Sequence, residues 1–166
     1  MKEYPVKLNI DYSESSNRLT AIFRLILVIP IVIILALIST YAEALSLAIA
    51  MMILFKEKYP KWWFEWHIGI TKLTYRIAAY VFLMRDEYPS TDHDQSVQID
   101  VPYPDVKNDL KRWMPLVKWI LVIPHIIVLI FLFIGVLLST IFALIAILFT
   151  GKYPKSIFNF VEGFLR

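Results

Sequence analysis

Two ionisable side chains stand within long apolar runs, and any chemistry would have to start from them. Glu43 lies near the middle of the run from Leu25 to Phe55. An ionisable residue at membrane depth is by default a candidate for a proton or ion path. Its counterpart in a second run, however, is Leu137, and repeat-built transporters place their sites at the interface of both copies. Glu43 is therefore expected to serve structure, accepting hydrogen bonds from loose backbone N–H groups at a turn. His125 follows Pro124 near the start of the second run, and His67 follows Trp66. A His pair can ligate haem or a chlorin, but no spacing motif links these two. Their counterparts, Ile31 and Val161, are apolar, so plain interfacial histidines are expected. His93 sits in a polar stretch and carries no signal. Asp92 and Asp94 make a fragment of a cation loop that lacks the remaining ligand positions. Serines, histidines and acids never gather into a nucleophilic arrangement. The absence of cysteine excludes disulfides, thiolate metal sites, Fe–S clusters and Cys nucleophiles. The expectation is no enzyme, no catalytic residue, no metal and no cofactor.

The elements that carry these residues are duplicated. Ile26-Leu27-Val28-Ile29-Pro30 returns as Ile120-Leu121-Val122-Ile123-Pro124. Ile53-Leu54-Phe55 with Lys58-Tyr59-Pro60-Lys61 returns as Ile147-Leu148-Phe149 with Lys152-Tyr153-Pro154-Lys155. Both matches fall at one offset, 120 − 26 = 94 and 147 − 53 = 94, so the chain is an internal repeat. The repeats are placed at 1–90 and 91–166. With 58% hydrophobic residues and a mean hydropathy of +0.62, the chain is too apolar for an ordinary soluble domain. The net charge of +3 is small, but Lys and Arg bracket both runs. Such residues suit anionic headgroups. No basic stripe has nucleic-acid spacing, so no nucleic-acid partner is expected.

Val6, Leu8 and Ile10 alternate with polar residues, as do Val97, Ile99 and Val101. Period two predicts a half-buried strand in each copy. A lone strand is unstable in water, and the economical arrangement pairs the two outside the bilayer. Ser15 or Ser16 is expected to cap a helix that Pro30 kinks or ends. A counterpart helix should begin near Asp105 to Asn108, with Pro115 disturbing its start, and meet Pro124.

From Leu25 to Phe55 there are 55 − 25 + 1 = 31 residues. As one helix they would reach about 46 Å, against a hydrocarbon core of about 30 Å. Two full spans would need about 40 residues. Either a long kinked span or a hairpin that dips in and returns fits. Ser39-Thr40-Tyr41-Ala42-Glu43 and Gly135 weaken the two runs at their middles, and both ends of both runs are basic. Basic flanks prefer the cytoplasmic side, which favours hairpins and places Arg18, Lys58, Thr91 and Lys152 on one face of the membrane.

Pro60 and Pro154 then restart the chain as first helical residues. Trp62 to Met84 reads as an amphipathic helix lying in the interface. Trp62, Trp63 and Trp66 would sit at headgroup depth, with Lys72 and Arg76 on the polar stripe. Trp113, Lys118 and Trp119 are the matching interface residues of the second copy. Arg85 to Asp100 is the aqueous linker. Arg166 corresponds to Lys72, so the last helix is expected to be cut near its midpoint.

Several phrases stand together: Tyr4-Pro5-Val6, Asn17-Arg18-Leu19, Leu27-Val28-Ile29-Pro30 and Tyr75-Arg76-Ile77-Ala78-Ala79-Tyr80. The second copy adds Pro115-Leu116-Val117-Lys118-Trp119 and Leu148-Phe149-Thr150-Gly151-Lys152-Tyr153-Pro154. Over nearly its whole length the chain resembles a bacterial membrane family known as domain of unknown function four-three-eight-nine, in tandem. The resemblance implies a small integral membrane protein, in the bacterial inner membrane, with no assigned activity. The two copies differ at Lys56-Glu57 against Thr150-Gly151 and at Ile31 against His125, so neither position is essential to both halves.

The expected fold class is an all-α membrane protein. It has two pseudo-repeats, each a short strand, an apolar hairpin (or long kinked span) and an amphipathic interfacial helix. The expected function is non-catalytic: an accessory subunit of a larger membrane assembly, or a lipid-shaping scaffold. Its partners would be the lipid bilayer and other membrane subunits. The alternative is a small channel or transporter using Glu43. The candidate intramembrane polar residues are Glu43 and His125.

Overall fold

A computed structural model describes residues 6–13, 15–56, 58–91, 94–104 and 114–166. Trp113 lies outside the described residues, as does the expected helix start near Asp105 to Asn108. The side chains of Lys118 and Trp119 are also outside them.

The described elements are β1 (Lys7–Ile10), α1 (Arg18–Leu27), α2 (Ile29–Lys56), α3 (Lys61–Val81), β2 (Val97–Asp100), α4 (Met114–Thr150) and α5 (Lys155–Leu165). The fold is mostly helical with one small sheet, and the expected strand pairing is present. β1 and β2 are antiparallel, with Lys7 opposite Asp100, Leu8 opposite Ile99, Asn9 opposite Gln98 and Ile10 opposite Val97. Period two places all four apolar residues on one buried face. The opposite face is polar, and its Lys7–Asp100 pair is of opposite charge, a favourable cross-strand arrangement.

Asn17, not Ser15 or Ser16, caps α1. Its Oδ1 accepts from the amides of Leu19 at 3.0 Å and Thr20 at 3.4 Å. α1 stops at Leu27, and Val28 forms the joint before α2. Pro30 lies in the first turn of α2, where a missing N–H does no harm. Pro124 behaves differently from expectation, because α4 continues through it.

The apolar runs are not hairpins. α2 is one helix of 28 residues and α4 one of 37. The residues that looked like breaks are satisfied inside the helix. Thr40 Oγ1 donates to the Ala36 carbonyl at 2.9 Å and Ser46 Oγ to Ala42 at 2.8 Å. Ser139 and Thr140 do the same to Gly135 and Val136, each at 2.8 Å. A hydroxyl bonded to the carbonyl four residues back bends a helix slightly without ending it. Opening the backbone there would leave unpaired groups in apolar surroundings.

α2 and α3 form an antiparallel pair. Val28, Ile31 and Leu35 pack with Leu73, Ile77 and Tyr80, while Ala42 and Ile49 pack with Trp63. α3 therefore lies along α2 rather than apart from it, and Trp63 is turned into that contact. α3 ends where Leu83 takes φ 64°, a conformation usually left to glycine. Its side chain is buried in the main core. Burial worth about 1.5–3 kcal/mol offsets a left-handed cost of roughly 1–2 kcal/mol.

α5 pairs with α4 in the same way. A Cβ on Gly135 would meet the Phe160 ring at 3.3 Å, whereas Gly69 has open space around it. Gly135→Leu should force the two helices apart and lower stability by about 1–3 kcal/mol, an overpacking cost. Gly69→Ala should raise it by about 0.5–1 kcal/mol through helix propensity. Chemical unfolding of the detergent-solubilised protein checks both signs.

Candidate functional site

The most buried charge in the described chain is Arg24, 1% exposed. Its guanidinium pairs with Asp86 Oδ1 and donates to the carbonyls of Arg85 at 2.9 Å and Tyr80 at 3.4 Å. It also lies 5.0 Å from the centre of the Tyr80 ring. Asp86 Oδ2 in turn accepts the Asn17 amide at 2.7 Å. One carboxylate thus holds both the start of α1 and its buried cation, and pins α1 to the chain leaving α3. Nearby, partial burial pushes the Glu87 carboxyl up, but hydrogen bonds from Ser96 and Arg85 outweigh this and hold it below its ordinary value.

A second junction joins the copies. The Ser16 amide donates to the Gly151 carbonyl at 3.0 Å, and Arg18 to the Phe149 carbonyl at 3.4 Å. Gly151 takes φ 73° to turn the chain out of α4 against Arg18. Tyr12 Oη donates to the Tyr153 carbonyl at 2.6 Å, and Tyr153 Oη to the Phe82 carbonyl at 3.2 Å. Burial pushes the Tyr153 phenol well above its ordinary value.

The matching contact sits at the other end of α3. Tyr103 Oη donates to the Tyr59 carbonyl. Val6 to Tyr12 and Val97 to Tyr103 are equivalent stretches, 103 − 12 = 91 residues apart. Each copy's strand arm therefore ends on the helix turn of the other copy. The ring geometry repeats too: Tyr12 meets Phe158 edge-on at 5.0 Å, and Tyr103 meets Phe64 edge-on at 5.2 Å. A pseudo-twofold axis accordingly passes through the Leu8–Ile99 pair.

Along α2 and α4 the exposed surface is mostly apolar. Two helical stretches, Arg18–Lys56 and Ile120–Thr150, are long and apolar enough to cross a membrane. Only 17% and 6% of their most apolar windows are buried, so the described chain leaves both largely uncovered. Leu47 is 71% exposed and Phe131 72%.

The expected site residues are scattered over this frame. Trp62 and Trp66 are exposed, but Trp63 is 3% exposed and packs on Ala42 and Ile49, so it is a core residue and not an interface anchor. Lys72 and Arg76 line a shallow groove with Asp94, beside the sheet. Arg76 donates to the Ser90 carbonyl, and its buried Nε has no partner among the described residues. Glu43 does not stand at a turn. It is an exposed residue in mid-helix, with no hydrogen bond or ion pair among the described residues. His125 is exposed on α4, while His67 is exposed and stacks on Trp63 at 6.1 Å. No group of three metal-ligating side chains occurs among the described residues. Sequence reading missed Arg24, Asp86, Tyr12, Tyr103 and Tyr153. The available signal was the recurrence of Tyr12 as Tyr103 and of Tyr59 as Tyr153 in the two copies.

Breaking the Arg24 pair should be costly. Asp86→Ala leaves a buried guanidinium without its anion, and a loss of about 3–5 kcal/mol is expected. Arg24→Lys should not rescue it, because one ammonium cannot reach three acceptors in a fork. Unfolding midpoints of the two variants and the parent protein test this.

The chain matches the family profile described as a domain of unknown function, DUF4389, over residues 18–91 and 112–166. No curated protein and no solved structure matches it.

Proposed function

The chain belongs to the DUF4389 family, and on that footing we propose that it is a non-catalytic protein embedded in a bacterial inner membrane, acting as a lipid-shaping scaffold. The observation that carries this reading is the exposed apolar surface of α2 and α4. A soluble monomer rarely exposes contiguous apolar patches beyond a few hundred Å². Here two long helices each leave most of their apolar surface uncovered. Lipid is the partner such a surface fits, and basic side chains stand where the helices meet the headgroups. A larger membrane assembly would meet the protein through the same helices, as an accessory subunit.

The channel alternative would need Glu43 in a polar cavity. Glu43 is exposed on the flank of α2 and lines none of the described grooves. Reconstituted vesicles test both readings. The protein should resist extraction at high pH, and the vesicles should stay tight to protons and small cations. Extraction into the wash would defeat the membrane-embedded reading. An ion flux that Glu43→Gln abolishes would replace the scaffold with the channel.

A further inference from the structure

The packing order fixes how the molecule can sit in a bilayer. α3 is sandwiched. Ile68, Thr71 and Tyr75 line a cleft with Leu8, Ile99 and Val101 of the strand arms. Ile70, Leu73 and Ile77 belong to the contacts with α2. The two sets are offset by two residues, about 200° around a helix of 3.6 residues per turn. The layers therefore run sheet, α3, α2. The elements also run alongside one another. Ser96 bonds Arg85 and Glu87 just past the end of α3, and Tyr103 bonds Tyr59 just before its start. The arm 96–103 thus tracks α3 along its length, and α2 tracks it on the opposite side.

If α2 crossed the membrane, this arm would cross with it. The seven residue-to-residue steps of this arm cover about 23 Å when extended, most of a hydrocarbon core of about 30 Å. Gln98, Asp100, Lys7 and Asn9 would then face hydrocarbon, and so would the open edges of a two-stranded sheet. Unpaired strand backbone does not occur in lipid.

We infer that the protein is monotopic: it lies in one leaflet, with the sheet in water, α3 and α5 at the headgroups, and α2 and α4 along the membrane plane within the acyl region. The inference rests on the membrane-embedded reading above. The occupant of the apolar face is a phospholipid leaflet, and charge supports the choice. Among the described residues, the ends of the apolar runs are exposed and basic: Arg18 before α2, Lys56, Lys58 and Lys61 after it, and Lys152 and Lys155 after α4. These ends lie at the level of α3, where anionic headgroups would be. Thickness agrees as well. A helix with its side chains is about 10 Å across, and one leaflet contributes roughly half of the ~30 Å core. Length ceases to be a problem: 39 helical residues overshoot a span but fit along the plane. Glu43 follows the inward-facing Ala42 by one residue, so it sits on the flank of α2, where its carboxylate can reach up towards the headgroups. The pseudo-twofold axis, normal to the sheet, becomes the membrane normal, so the two copies share one orientation.

The chain has no cysteine, so single cysteines report cleanly. Ser15→Cys, Lys58→Cys, Gln98→Cys and Lys152→Cys are placed at exposed positions, and Leu47→Cys and Phe142→Cys in the lipid-facing helices. Each variant is labelled with an impermeant maleimide in sealed inner-membrane vesicles of both orientations. The first four should label from one and the same side. The last two should remain unlabelled from either side until detergent is added. Labelling of Ser15→Cys and Lys58→Cys from opposite sides would overturn the one-leaflet placement while leaving the embedded reading standing. Labelling of Leu47→Cys and Phe142→Cys without detergent, with the protein released by an alkaline wash, would overturn both.

Discussion

A two-stranded sheet has two open edges, and each carries backbone donors and acceptors that need water. That constraint governs the molecule. Among the described residues β1 and β2 pair only with each other, so their outer edges and the polar face of Lys7, Asn9, Gln98 and Asp100 must stay wet. α3 and α5 cover the apolar face of the sheet, and α2 and α4 cover those helices in turn. Fixing the sheet in water therefore sets the depth of every other layer. The hydrophobic effect acts on two sides of this stack. It drives the strands onto α3 and α5, and in the proposed one-leaflet arrangement it also drives the uncovered faces of α2 and α4 into lipid.

The two copies interlock rather than sit side by side. The main core mixes Leu8, Ile10 and Ala79 from the first with Val136, Ile147 and Phe158 from the second. Tyr12 and Tyr103 each close on the helix turn of the opposite copy. Within the first copy, Arg24 ties α1 to the chain leaving α3. A desolvated guanidinium is tolerable only when anion and carbonyls are all in place, and Asp86 also holds the Asn17 amide. Loss of that carboxylate would free the cap and the cation together.

Much of this was legible in the residues, and the rest was hidden for definite reasons. Alternation in Val6 to Ile10 and Val97 to Val101 revealed the strands, and Pro60 and Pro154 marked the starts of α3 and α5. The repeat offset revealed the duplication. Continuity through Ser39 to Glu43 was hidden because hydroxyls bonded to their own helix look like break signals in a sequence. Trp63 was hidden because aromatic crowding near a helix start does not say which ring turns towards α2. Arg24 looked like one more flanking cation. Its burial depends on Asp86, more than 60 residues away, and no local pattern reports that distance. The polar side of α3 was legible in its Lys72–Arg76 stripe, which the structure sets in a groove beside the sheet. That α2 runs antiparallel alongside it was not, since the hydropathy of an all-round apolar helix carries no direction.

The helix axes themselves offer the most direct test. Polarised infrared absorption of the protein in aligned bilayers reads the tilt of the amide I dipoles against the membrane normal. The one-leaflet account predicts a dichroism of helices lying mostly in the plane, unchanged when the sheet is weakened by Leu8→Ala. A dichroism of helices aligned with the normal would contradict it, and would require the strands to be carried into hydrocarbon or torn from α3.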